Sequence, residues 1–271
     1  MSVCYVTAFM DIGRENWKTF SRSVADYLDH FQPFVDMFRN LDPSVYQMIV
    51  FIDETHYDTL RQRIPLDTPI RLVSCSRDYL ESNIPTWSYL PIEKMIIQSD
   101  TYKGLVGDRI HKFPENYSAE YTVMTTSKVD FVVHAMSFIN SDYYCWVDFG
   151  YFKLPENIPK HPIDIRKLDL DRINLQILHP LTDSDQNIIY TVRNAPERIA
   201  GAFIFGSKSK FLEYQPLYHT IHKEFHTLWL VDDDQHLALQ CYYRRPDLFR
   251  LHQHYWSRSL IEFQKTNNDD I

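Results

Sequence analysis

The stretch Tyr143-Tyr144-Cys145-Trp146-Val147-Asp148-Phe149-Gly150 decides the fold. Its aromatic and β-branched run reads as a buried strand that ends in one carboxylate, with a glycine close behind. Open α/β sheets place their ligands outside the carboxyl ends of strands, so Asp148 is aimed at a crevice. Two readings of that carboxylate stand side by side. It either caps the following turn or binds a hard cation such as Mg²⁺ or Mn²⁺ against a diphosphate, since these ions take few protein oxygens and complete their shell with phosphate.

Working outward, Val3 to Phe9 is a compact apolar strand followed by the turn Asp11-Ile12-Gly13-Arg14. An aromatic-studded helical region is expected from about Trp17 to Phe38, interrupted near Pro33. Val45 to Ile52 is a second strand ending in Asp53, residues 54–63 are helical, Ile70 to Ser74 is a strand, and Trp87 to Gln98 returns to helical spacing. This β-α-β-α-β order predicts an α/β fold of three layers, α/β/α, with a mostly parallel central sheet. Ser118 caps a helix expected to run to Ile139. After the strand to Phe149 come a stretch punctuated from Pro155 to Pro162, strands Asn174 to Leu178 and Ala200 to Phe205, a helix from about Lys208 to His226, and a last helical stretch after Asp234. The tail from Thr266 to Ile271 is expected to fray.

Composition narrows the function classes. The 271 residues include 18 Tyr, 17 Phe and five Trp but only six Gly, with 44% hydrophobic and 24% charged residues. That excludes disordered and collagen-like chains and disfavours phosphate loops built from several glycines. Gly201 to Lys208 imitates a P-loop, yet Ser207 precedes Lys208 and the intervening residues form an apolar strand. The net charge is −8 with no basic patch beyond Arg244-Arg245, which makes nucleic acid a poor partner. No signal peptide opens the sequence and no apolar run reaches the roughly 18 residues of a membrane span, so a soluble, cytoplasmic chain is expected. Cys4, Cys75, Cys145 and Cys241 form no CxxC and read as reduced and buried.

Several other residues could carry chemistry. Asp232-Asp233-Asp234 follows Trp229-Leu-Val at the start of a helix. One of the three caps that helix, and mutual repulsion can raise the pKa of another toward that of a general base, against the pull of the helix dipole. In nucleotide-binding α/β domains the loop after the first strand receives the base and ribose: Phe9 can stack, Asp11 can accept hydrogen bonds, and Arg14 can reach a phosphate. His219, His222 and His226 share one helical face, which a zinc hydrolase would use and which an exposed stripe explains equally well. His252 and His254 form either a polar face beside Tyr255 and Trp256 or the late part of a metal site.

Taken together, TAFMDIGRENW at 7–17, YYCWVDFGYF at 143–152, IAGAFIFG at 199–206 and DDDQ at 232–235 resemble the bacterial HtrL/YibB (WlaTC/HtrL) glycosyltransferase-like family, over about residues 3 to 245. The resemblance implies one GT-A-like domain over 1–271, with a nucleotide-binding half (1–150) and an acceptor and catalytic half (151–271). It implies metal-assisted transfer of a hexose or pentose from a nucleoside-diphosphate sugar, UDP preferred, to a hydroxyl of a growing glycan, with inversion. Carried over by position, Thr7, Ala8, Phe9, Asp11 and Arg14 would hold the nucleotide, and Lys128 would reach the diphosphate. Gly201 and Ala202 would leave room for the donor sugar. Asp148 would bind Mn²⁺ or Mg²⁺. Only one carboxylate stands where the superfamily has two, so His252 or His254 would supply a further ligand. Asp233 or Asp234 would deprotonate the acceptor. The implied location is cytoplasmic, with a peripheral membrane association compatible with it. A metal-dependent hydrolase on the α-helical histidine face and a non-catalytic glycan-binding module are the alternatives.

Overall fold

The computed structural model describes residues 1–265; the tail 266–271, expected to fray, lies outside the described residues. Seven strands, β1 (Val3–Phe9), β2 (Tyr46–Asp53), β3 (Ile70–Cys75), β4 (Tyr143–Val147), β5 (Ile173–Ile177), β6 (Ile199–Ser207) and β7 (Phe249–Gln253), form one sheet in the order β3-β2-β1-β4-β6-β5-β7. The pairs β1–β2, β1–β4, β2–β3 and β5–β7 are parallel, while β6 runs antiparallel to both β4 and β5. The apolar runs of the sequence follow from this arrangement, because the central strands are covered on both faces.

Alternation along each strand splits the core in two. From β1, Cys4, Val6 and Ala8 enter one cluster, while Val3, Tyr5 and Phe9 enter the other. Likewise Tyr144 and Trp146 of β4 face one layer, and Cys145 and Val147 the opposite one. The helices are α1 (Val24–Phe38), α2 (Tyr57–Arg63), α3 (Arg77–Asn83), α4 (Leu90–Gln98), α5 (Asp100–Val106), α6 (Ala119–Thr126), α7 (Lys128–Ala135), α8 (Ile188–Asn194), α9 (Lys208–Thr227), α10 (Asp234–Arg244) and the single turn α11 (Ser259–Glu262). Phe31, Phe34, Val35 and Phe38 of α1 fill the second cluster, whereas α4, α7, α9 and α10 contribute to the first. Sheet and two flanking layers make the expected three-layer α/β/α fold with a mostly parallel sheet. All four cysteines are free and buried. Among the described residues no helix is long and apolar enough to cross a membrane.

Three local expectations are corrected. The first helix begins at Val24, where Ser23 and Asp26 form a reciprocal capping box, so residues 17–22 are loop. Pro33 lies inside α1 without ending it; burial of the four apolar side chains around it outweighs the lost backbone hydrogen bond. The helix expected from Ser118 to Ile139 is two helices, α6 and α7, meeting at Ser127. Ser118 does cap the first of them, accepting from the Tyr121 amide at 3.2 Å. At the junction the hydroxyls of Thr126 and Ser127 donate to the carbonyls of Thr122 and Val123, an alternative to regular helix bonding. Strand β7 was not expected, since only Phe249 and Leu251 among its residues are apolar and it lies at the sheet edge.

Candidate active site

Strand direction builds the site. β1 and β4 are parallel neighbours, so their carboxyl ends, Phe9 and Val147, open on the same side. β6 runs the other way, with Phe203 opposite Val147, which brings its early residues Gly201 and Ala202 beside Asp148. The Asp148 amide donates to the Ala202 carbonyl at 3.1 Å. A cavity of about 370 Å³ opens there, lined by Ala8, Phe9, Asp11, Arg14, Lys128, Asp148, Gly201, Ala202 and Asp234 from the sequence-predicted set. That volume suits a small-molecule ligand.

Lys128, the first residue of α7, is the electrostatic centre. Its Nζ lies 3.0 Å from Asp148 Oδ1, 2.8 Å from Asp234 Oδ2 and 2.9 Å from the Gly201 carbonyl, to which it donates. Burial works against the ammonium, but the two carboxylates win and hold Lys128 charged, above its ordinary range. Asp148 Oδ1 also accepts from Trp146 Nε1 at 2.9 Å. Gly201 permits the whole arrangement: a Cβ there would lie 1.5 Å from Asp234 Oδ2. With three oxygens around it, the ammonium is committed to the carboxylates in this structure and does not extend toward a diphosphate.

The three aspartates divide their work. Asp233 caps α10, accepting from the Gln235 amide at 3.1 Å and from Gln235 Nε2 at 3.0 Å. Asp232 pairs with His236 Nδ1 at 2.8 Å. Asp234 alone reaches the cavity. Burial raises the carboxyl pKa of both Asp233 and Asp234, with Lys128 pulling Asp234 back down. Burial also opposes a charge on His236, yet Asp232 pushes its pKa up to about 9.

Other predicted residues lie elsewhere. Thr7 is fully buried under the cavity floor and does not line it. His252 and His254 are not brought to Asp148. They belong to the edge strand β7 and its end, three strands away in the sheet order, or roughly 14 Å at normal strand spacing. His252 Nε2 contacts Asn174 Oδ1 at 2.8 Å, both rings pack against Phe263, and burial pushes the His252 pKa down to about 4. The two-sided metal site expected from Asp148 plus a histidine is therefore not assembled. Among the described residues Asp148 Oδ2 has no protein partner, and this carboxylate oxygen could take a cation with phosphate completing the shell. Gly206 packs against Ile173 in the core, and Tyr151 and Trp229, which flank the Asp148 and Asp232–Asp234 segments in sequence, do not line the cavity.

The histidine face of α9 points inward, contrary to an exposed stripe. His219 Nε2 contacts Asp130 Oδ1 at 2.8 Å, while His222 and His226 meet Glu93 Oε1 at 2.9 and 3.4 Å. Glu93, His222 and His226 stand close enough to hold a metal ion, as do Asp232, Asp233 and His236. Both groups are closed by their own pairs and neither opens on the cavity.

Sequence reasoning missed the loop 17–22 and the segment after Gly150. Phe20, Arg22, Tyr27, Tyr121, Lys153 and Trp256 all line the cavity. The DIGR segment was the available signal: Arg14 Nε donates to the Phe20 carbonyl at 2.9 Å and folds that loop over the site. Arg14 also donates to Tyr27 Oη at 2.6 Å and lies over the rings of Trp17 and Tyr121. Phe9 is stacked on Phe149, with centroids 5.1 Å apart, and packed against Tyr27. Asp11 accepts from the Gly13 amide at 2.9 Å and contacts His56 at 3.3 Å.

Comparison with known proteins fits this architecture. The core-mannan synthase A of Aspergillus fumigatus, solved in an Mn/GDP form, is 9% identical and superposes with a TM-score of 0.52 over 98% of this chain and 78% of that one. This likeness is one of fold, that of GT-A glycosyltransferases. Mouse xyloside xylosyltransferase 1, in its apo form, is 10% identical, with a TM-score of 0.45 over 93% of this chain and 85% of that one. In sequence the chain is 28% identical to Protein HtrL of Escherichia coli (strain K12) over 263 residues, 92% of this chain and 87% of that protein. Residues 1–264 match the family described as "Bacterial protein of unknown function (HtrL_YibB)". The chain, which carries the DIGRENW, WVDFG and DDDQ segments around a single cavity, belongs to the HtrL_YibB family.

Proposed function

We propose that this protein is a glycosyltransferase that moves a sugar from a nucleoside-diphosphate donor, UDP-linked in our reading, to a hydroxyl of a glycan acceptor with inversion. The observation that carries the reading is the Asp148–Lys128–Asp234 arrangement at the carboxyl ends of β1 and β4, inside a cavity that also gathers several cations. Open α/β sheets bind their ligands at this end, and the fold likeness to a mannan synthase solved with Mn and GDP supports the donor class.

The first half of the chain, 1–150, would hold the nucleotide through the loop at Ala8, Phe9, Asp11 and Arg14, with residues 151–271 receiving the acceptor. Gly201 and Ala202, lacking bulk, leave space for the donor sugar beside Asp148. A divalent cation, Mn²⁺ or Mg²⁺, would be held by Asp148 Oδ2 and would supply charge neutralisation at the leaving diphosphate. Asp234 faces the same space, and its raised pKa suits a group that takes the acceptor proton. Lys128 fixes both carboxylates in place, and its charge favours the ionised form of Asp234. Asp233, committed to capping and absent from the cavity lining, is the poorer candidate. A cytoplasmic enzyme of glycan biosynthesis, working at a membrane face, is the matching location.

The test is release of nucleoside diphosphate from a panel of UDP- and GDP-sugars, with and without Mn²⁺, alongside an acceptor glycan library. Turnover of any one donor that Asp148→Ala abolishes is the expected result. No turnover and no nucleotide-dependent rise in Tm across the panel would defeat the reading.

A further inference from the structure

Most cations of this protein that approach a carboxylate pair with one, but the cavity contains three that do not. Arg14, Arg22 and Lys153 line it, and among the described residues none of the three has a carboxylate oxygen within ion-pair distance. Arg14 donates to a phenol and a backbone carbonyl, neutral groups that leave its charge unanswered. Arg22 lies over the Tyr27 ring, 4.9 Å from its centroid, and its guanidinium makes no hydrogen bond. Lys153 stands at the rim, exposed as a residue but with its ammonium turned in among these groups, and among the described residues that ammonium has no hydrogen-bond or ion-pair partner. Gly150 leaves the space between them open, since a Cβ there would come within 3.2 Å of Arg22 Nη1 and the Tyr27 ring.

Like charges held together without a counter-ion repel, and a fold retains such a group where an anion is bound. At Lys153, desolvation of the ammonium is the main cause that holds it below the usual lysine range; repulsion from Arg22, Arg14 and Lys128 adds to it, with Asp148 pulling the other way. Lys128 itself is neutralised by Asp148 and Asp234 and is not part of this group.

We propose that Arg14, Arg22 and Lys153 form a seat for a diphosphate, one that binds the anion through side-chain cations and needs no divalent ion to do so. The seat deepens the nucleotide-sugar reading and rests on it only for the nucleoside and sugar ends of the ligand. Any metal on Asp148 then acts in the transfer step, after the diphosphate is already held. Neither Arg22 nor Lys153 was marked by the sequence, and Gly150 acquires a role as the spacer that admits the arginine.

The experiment is titration calorimetry of the full chain with inorganic pyrophosphate in EDTA, repeated with Mn²⁺. Wild type is expected to bind in EDTA, Arg22→Gln and Lys153→Met to bind about tenfold more weakly each, and the exposed control Lys103→Met to match wild type. Added NaCl should weaken binding. Neither variant removes a side-chain hydrogen bond, so both should fold, which a melting curve verifies. Pyrophosphate binding that appears only with Mn²⁺, or that is equal in both variants and wild type, or that is absent throughout, overturns the seat. UDP, GDP and CDP serve as the second arm. If pyrophosphate binds and no nucleoside diphosphate binds more tightly than pyrophosphate, the seat stands and the nucleotide-sugar reading falls. If nucleoside diphosphates bind only with Mn²⁺ and equally well in both variants, the seat falls and the nucleotide-sugar reading survives.

Discussion

The cavity beside Asp148 and the inner face of α9 use the same kinds of side chain and treat them in opposite ways. On α9, His219, His222 and His226 each face a buried carboxylate, Asp130 or Glu93, and Thr86, Gln215 and Thr122 supply further donors to those two acids. Every acid there is answered by protein. In the cavity, among the described residues, Asp148 keeps an oxygen without a partner and Arg14, Arg22 and Lys153 have no carboxylate within ion-pair distance. Burying a charge without a partner is costly. A fold can therefore pair charges in its interior for stability, as at α9, or leave them short of partners where solvent and ligand complete the set. Histidine clustering in a sequence does not distinguish these cases, because the difference lies in what other elements bring to the same place.

That contrast can be broken by experiment. The largest effect is expected for Asp148→Ala, which should lower donor turnover by about 10³-fold or more, of the size seen when a group acting on the transition state is lost; its Tm should move far less. Glu93→Ala should do the reverse. It strands His222 and His226 in the core, with an expected loss of about 3–5 kcal/mol in urea unfolding and unchanged turnover per folded molecule. Equal effects of the two substitutions on turnover would erase the distinction between the regions.

A pH series sharpens it. His236 is raised from 6.5 to about 9 in the folded protein, so the stability it contributes is fully present below about pH 6.5 and is lost as pH rises through 9. Up to about 3 kcal/mol is at stake from such a shift. Glu115, raised mainly by burial to about 7, adds a loss that begins above its ordinary value and is complete near pH 7. Tm should therefore fall from mildly acidic pH toward pH 9, and His236→Asn should flatten the upper part of that fall. A Tm rising between pH 6.5 and 9 would mean that the Asp232–His236 pair does not hold its proton. The smallest effect on stability is expected for Gly201→Ala. Its methyl would displace Asp234 from Lys128, costing about 1–3 kcal/mol of stability, as overpacking does, and activity with it.

Legibility in the sequence followed the range of the interactions. Strands β1, β2, β4 and β6 and helix α9 were evident because contiguous apolar runs and 3.6-residue spacing report burial locally. The break at Ser127 was not, since it depends on hydroxyls choosing backbone acceptors within one turn. Within the site, Asp148 was marked by its place after a strand and Asp234 by its neighbours. Arg22 and Lys153 carried no mark, being single cations in a loop and after a glycine.

By itself the sequence determined the order and period of the elements, the two-faced burial of the strands and the family of the chain, all properties written in neighbouring residues. Only the tertiary structure decided that Lys128 would meet Gly201, 73 positions away, and through it Asp148 and Asp234. It also decided that His252 would turn to Asn174. The reason is physical: the energy of a charge depends on every group within a few ångströms, and sheet order, which no short window of sequence contains, chooses those groups.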